Sequence, residues 1–267
     1  MFARPSFPST TVDGNDALVS ALLNASNATL RLGTSVHAVA PTADGKGFAL
    51  TTNAPGSAGT RTERFDAVVV AAPLESAQLD LSALSLAPGA ELRRKYVDVY
   101  VTVVTSALIN GSFFGDAGMV PSALVMAPTR STVPCGIHFV WRVGDAASAP
   151  DSAQGPGDAS AVAGVYLLHS ATRLSDQVVG MAFGGGARNV YRHYWPAAYP
   201  AELPTKSAAA RPPVILSRGG GVYYLNALES LESAMETSAL AASNVARLLA
   251  RWWGERRPAS RGNGAGS

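Results

Sequence analysis

The chain has 267 residues, 47% of them apolar and 15% charged, and 21 basic against 19 acidic residues leave a formal charge of +2. That length buries a substantial core in one large domain or two small ones, and so even a charge, with no concentrated basic run before the C-terminal tail, argues against nucleic acid as a partner. No apolar run is long enough to form a transmembrane segment, residues 1–5 lack the apolar centre of a signal peptide, and the lone Cys135 excludes an intrachain disulfide.

In chain order, residues 16–26 read as a short helix with Leu18, Leu22 and Leu23 on one side. Residues 30–39 read as a strand or strand pair interrupted by Gly33, and 47–52 with 60–64 as two arms of a hairpin around Pro55 and Gly56. Residues 65–72 form a continuous apolar run, as expected of a strand buried on both faces. Pro73 stops it, because proline cannot donate to a central ladder. Residues 96–108 are β-branched and partly alternating, and further strands are expected at 122–126, 136–143, 162–169 and 189–195. The Ala/Asp/Ser/Gly/Pro-rich stretch 144–161 reads as a flexible loop.

Ser170 is placed to cap a helix over 171–183 that ends at the glycine triplet 184–186. A proline-containing connector, 196–213, then returns to a strand at 214–217. A second glycine triplet, 219–221, leads into a short apolar strand, a polar link and a long helix. Met235, Ala239, Ala242, Val245, Ala246, Leu249 and Trp252 recur there at three- and four-residue steps. Ser233 and Glu236 have the spacing of a capping box, and Gly254 and Pro258 end the helix.

Hydrolytic chemistry has no visible apparatus: no serine sits in Gly-x-Ser-x-Gly, and neither glycine triplet fits a phosphate loop. His37, His138, His169 and His193 show no ligand spacing and read as surface or core histidines, so no metal is expected. Asn24, Asn27 and Asn110 head glycosylation sequons. The strongest chemical signal is the helix start just beyond a strand end. Outward N–H groups and a positive dipole there suit the electron-rich edge or phosphates of a cofactor. The plainer reading is a terminal helix packed on a sheet.

Taken in order, several segments resemble the prenylcysteine oxidase (prenylcysteine lyase) family of amine-oxidase-like flavoproteins. They are residues 12–15 with Leu18, Leu22 and Leu23; the run 65–74 ending in Ala72-Pro73-Leu74; 95–113 with its Asn110 sequon; Trp195 with Ala198-Tyr199-Pro200; 213–216; and 223–244. The last block is the most specific, with Tyr223-Tyr224-Leu225-Asn226, Glu229 and Ser233-Ala234-Met235-Glu236. The likeness spans about residues 12–253 and corresponds to the C-terminal half to two thirds of a family member. Asp13 and Ala227 stand where family members tend to carry glycine.

The resemblance implies an α+β chain, a partial FAD/NAD(P)-binding flavoprotein fold with a mixed or antiparallel substrate-domain sheet and no N-terminal dinucleotide-binding unit. It implies FAD-binding parts at 12–90 and 214–253, a substrate domain at 91–213 and a disordered tail at 254–267. The implied activity is FAD-dependent oxidation of farnesyl- or geranylgeranyl-cysteine, in the breakdown of prenylated proteins in a lysosome or vacuole. Hydride leaves the carbon next to sulfur for the flavin, water adds, and cysteine plus an isoprenoid aldehyde result, with molecular oxygen taken to hydrogen peroxide. Cofactor contacts would fall on Ala72, Pro73, Glu229, Ala234, Met235 and Glu236, and an apolar substrate wall on Tyr100, Phe139, Trp141 and Trp195. An amine- or polyamine-oxidase relative, and a cofactor-free remnant or binding module, are the alternatives.

Overall fold

A computed structural model of the chain describes residues 15–53, 59–115, 123–125 (backbone only), 136–145, 164–201 and 211–256. Expectations on 12–14, Pro55 and Gly56, Cys135, 146–161 and 257–267 lie outside these residues. The chain divides into two units, one of residues 1–68 and 78–85, the other of 69–77 and 86–267.

The first unit holds α1 (Asn15–Ser26) and an antiparallel sheet of β1 (Ser35–Pro41), β2 (Phe48–Asn53) and β3 (Arg61–Phe65), in that order. Its small core joins Val39 and Phe48 to Leu81 and Leu84. Residues 78–85 are tied down by Val39 N–H donating to Asp80 O and Asp80 N–H to His37 O. The strand expected from residue 30 starts only at Ser35, with Leu30 and Leu32 exposed before it. The helix expected at 16–26 forms, yet it buries no residue: Leu18, Leu22 and Leu23 all remain exposed.

The apolar run 65–72 is not one strand. β3 ends its pairing with β2 at Phe65, the chain bends at Asp66, and β4 covers only Val68–Val70. An exposed aspartate breaks the run, and Val69 is 41% exposed, so burial on both faces does not occur.

The second unit is built on a five-stranded antiparallel sheet in the order β6 (Ala123–Val125), β7 (Ile137–Asp145), β8 (Gly164–Ser170), β5 (Tyr96–Ser106), β9 (Arg188–Pro200). The strict alternation of buried and half-buried residues in β8 shows one face closed and the other partly open. The closed face, with Val104, Val140 and Leu168, packs on Val178, Val179 and Phe183 of α2 (Asp176–Ala182) and its C-cap. Each fully buried valine there contributes about 1.5–3 kcal/mol.

α2 begins later than the sequence suggests. Ser170 stays in β8, its hydroxyl donating to Thr172 O, and Ser175 is the cap that accepts from Val178 N–H. β9 runs past its expected end at Trp195 through Pro196. A bulge opposite Asp98 absorbs the proline, with Ala197 at φ 51° and its N–H on the Asp98 carboxylate.

β10 (Val222–Tyr224) pairs with β4, whose Val69 and Val70 belong to this unit. The strand expected at 214–217 is reduced to isolated bridges, Ile215 to Tyr223 and Ser217 to Leu86. A 3-10 turn, Leu225–Ser230, then leads to α3 (Met235–Arg256). In place of the expected Ser233–Glu236 capping box, a single side chain ties the helix start: Ala234 N–H donates to Thr237 Oγ1, and that hydroxyl donates to Ala234 O. α3 buries Ala241 and Val245 and continues through Gly254, where an end was expected, to Arg256.

Candidate functional site

The second unit gathers its buried charge around Arg94, in the link before β5. Arg94 lies within a run of charged residues, 91–95, that reads as a solvated surface, yet its side chain is only 7% exposed. Its Nε donates to Glu75 Oε1 at 3.0 Å, Nη1 to Asn226 O at 2.9 Å and Ser230 Oγ at 3.2 Å, and Nη2 to Tyr224 OH at 2.6 Å and Tyr96 OH at 3.0 Å. Tyr96 OH donates onward to Glu229 Oε2, whose other oxygen accepts from Asn226 Nδ2. Leu74 N–H donates to Tyr224 OH. One guanidinium thus ties the turn after β4, the end of β10, the start of β5 and the 3-10 turn into one polar cluster.

Burial pushes the Glu75 carboxyl up, but Arg94's hydrogen bonds and charge outweigh that and hold it below its ordinary value. Burial raises the Tyr96 hydroxyl well above its usual range, and the Glu229 carboxylate adds to this, so the phenol stays protonated and donates. Glu229, with both oxygens taken, is an anchored carboxylate rather than a free base.

Ala72 and Pro73 stand at the head of the turn that carries Leu74 and Glu75, and Pro73 O accepts from Ser76 and Ala77 N–H. Ala234, Met235 and Glu236 open α3 some residues beyond Glu229; Met235 and Glu236 are exposed and Ala234 is half-buried. A hollow of about 10 Å³ lies between the 3-10 turn and α3, lined by Asn226, Glu229, Glu232, Thr237 and Ser238. Asn226 Oδ1 is buried there without a protein donor. The hollow has room for one water, and Ala72, Pro73 and residues 234–236 do not line it.

A flavin ring therefore does not fit this hollow. The surface at the start of α3 is open, with Leu231, Met235 and Leu240 64%, 51% and 67% exposed. The first N–H groups of a helix have no carbonyl partner within it, and they suit an electron-rich ring edge.

Strand register sorts the four expected wall aromatics. Phe139 pairs with His169, His169 with Val101, and Val101 with His193, so one row crosses β7, β8, β5 and β9 on the partly open face. Trp141 lies two residues along from Phe139 and Trp195 two from His193, on that same face. Ring centroids are 5.3 Å apart for Phe139 and His169 and 4.5 Å for His193 and Trp195. Tyr100 points to the opposite face and meets Tyr194 at 4.7 Å. From sequence His169 and His193 read only as surface or core histidines; the signal for more was their place at alternate strand positions beside aromatics. Burial, then His138, lowers the His169 pKa and so favours the neutral ring.

This architecture defines a mixed α/β chain with an antiparallel sheet bearing an aromatic face. A sequence model of the family described as prenylcysteine lyase matches residues 9–260, and the chain belongs to that family. Curated relatives include prenylcysteine oxidase 1 of Pongo abelii and of Homo sapiens, each 26% identical over 197 residues, and of Bos taurus, 26% identical over 194. Each match covers 73% of this chain and 36% of the relative, so the chain spans about a third of the length of these relatives. Among the described residues no helix is long and apolar enough to cross a membrane, and no group of three or more His, Cys, Asp or Glu is placed to hold a metal.

Proposed function

We propose that this chain forms part of an FAD-dependent thioether oxidase that cleaves farnesyl- or geranylgeranyl-cysteine to cysteine, an isoprenoid aldehyde and hydrogen peroxide. Family membership supports the substrate class. The geometric observation that carries the reading is the partly open aromatic face of the five-stranded sheet, with Phe139 and Trp141 on β7 and Trp195 on β9, three strands away. An isoprenoid has no hydrogen-bonding group along its length, so it is recognised by apolar contact area alone. Burial, which lowers the His169 pKa, favours an uncharged ring beside Phe139.

Bound FAD supplies the hydride acceptor and passes the electrons to oxygen. The chain's own residues position and polarise. The opening N–H groups of α3, at Met235 and Glu236, would face the ring edge, with Ala234 leaving room for it, and Ala72 and Pro73 would border it from the strand-end turn. Glu229 would act through the 3-10 turn it anchors. Exposed Asn24 and Asn27, with Asn110, are consistent with passage to a lysosome or vacuole.

The test is to load purified protein with FAD, add farnesylcysteine, and measure peroxide and free cysteine. Equal amounts of both are expected. Peroxide from amines alone would instead indicate an amine-oxidase-like enzyme, and a protein that takes up no flavin would be a binding module.

A further inference from the structure

The closed side of the five-stranded sheet carries a second, separate hollow. It measures about 100 Å³ and is lined by Tyr100, Thr102, Arg173, Arg192 and Tyr194 among others. Register explains why these side chains meet: Thr102 pairs with Arg192 and Tyr100 with Tyr194 across β5 and β9, which puts all four on one face. Arg173 arrives from the link between β8 and α2. Phe139, Trp141 and Trp195 lie on the other face, and none of them lines the hollow.

Two guanidinium groups border the hollow, and their charge is incompletely answered. Arg192, its side chain only 16% exposed, gives Nη2 to the Asp176 carboxylate. Its Nε is buried with no protein acceptor among the described residues. Arg173 is exposed and forms no ion pair among those residues. The Asp98 carboxylate on β5 is taken by Tyr194 OH and Ala197 N–H. A buried cationic donor left unmade costs about 1–3 kcal/mol, and a guanidinium is matched best by a planar or tetrahedral oxyanion. The Tyr100–Tyr194 ring pair closes one side of the hollow.

The geometry points to a binding site for a small oxyanion, a carboxylate or phosphate group, held between Arg192 and Arg173 beside the Tyr100–Tyr194 pair. It stands independently of the flavin reading.

The test is thermal unfolding of the full chain in inorganic phosphate, in acetate and in chloride at equal ionic strength. A saturable rise in Tm with phosphate or acetate, absent in chloride, is expected, and the active anion assigns the ligand group. Arg192→Gln should abolish the rise. Exposed Arg173→Gln, which leaves the core untouched should Arg192→Gln fail to fold, should weaken apparent affinity by about tenfold. Equal Tm in all three salts, or a rise that Arg173→Gln leaves unchanged, would overturn the site.

Discussion

Arg94 donates to Glu75, Tyr96, Tyr224, Asn226 and Ser230, and no single substitution can serve all five. Truncating it leaves Glu75, 12% exposed, as a nearly buried carboxylate without its cation. Arg94→Met should therefore cost about 3–5 kcal/mol in denaturant unfolding; a loss under 1 kcal/mol would mean that water replaces the guanidinium. The pH dependence has a definite sign. Glu75's folded pKa lies below its unfolded value of about 4.3, so its contribution is complete above that pH and is lost as pH falls through the folded value. Glu75→Gln should remove this part of the acid sensitivity, measurable as a flatter stability curve below about pH 4.3. The local sequence hid this cluster. Arg94 and Tyr224 are 130 positions apart, and the charge run around Arg94 carries every mark of a wet surface.

At the scale of elements, α3 is pinned at both ends. At its start Ala234 N–H donates to Thr237 Oγ1, and near its end Trp252 Nε1 donates to Gly219 O at 2.9 Å. Gly220 sits at φ 72°, and a Cβ there would meet Trp252 Cδ1 at 2.5 Å. Gly220→Ala should lower stability by about 1–3 kcal/mol through backbone strain and that clash, seen as a fall in Tm, whereas Gly219→Ala, in open space, should cost far less. The Ser175 cap predicts a loss of about 1 kcal/mol for Ser175→Ala. Helical period made α3 legible from sequence, and β-branched alternation made β5 and β8 legible. Boundaries failed where one polar residue decided them: Asp66 splits an apolar run, and Ser175 rather than Ser170 opens α2.

For the molecule as a whole, sheet register is what turns scattered aromatics into a surface. The family resemblance nominates Tyr100, Phe139, Trp141 and Trp195 equally, since alternation within one strand says nothing of which face a neighbouring strand shares. Only the pairing of β5 with β8 and β9 separates Tyr100 from the other three. If the isoprenoid lies on the open face, Trp141→Ala should raise KM for geranylgeranylcysteine several-fold with little change in kcat. Tyr100→Phe, on the closed face, should leave both unchanged. The most direct measurement is anaerobic addition of farnesylcysteine to the flavin-loaded protein while the flavin absorbance is followed. Stoichiometric bleaching that recovers when oxygen is admitted is expected; loaded protein whose flavin stays oxidised under excess farnesylcysteine would contradict the assignment.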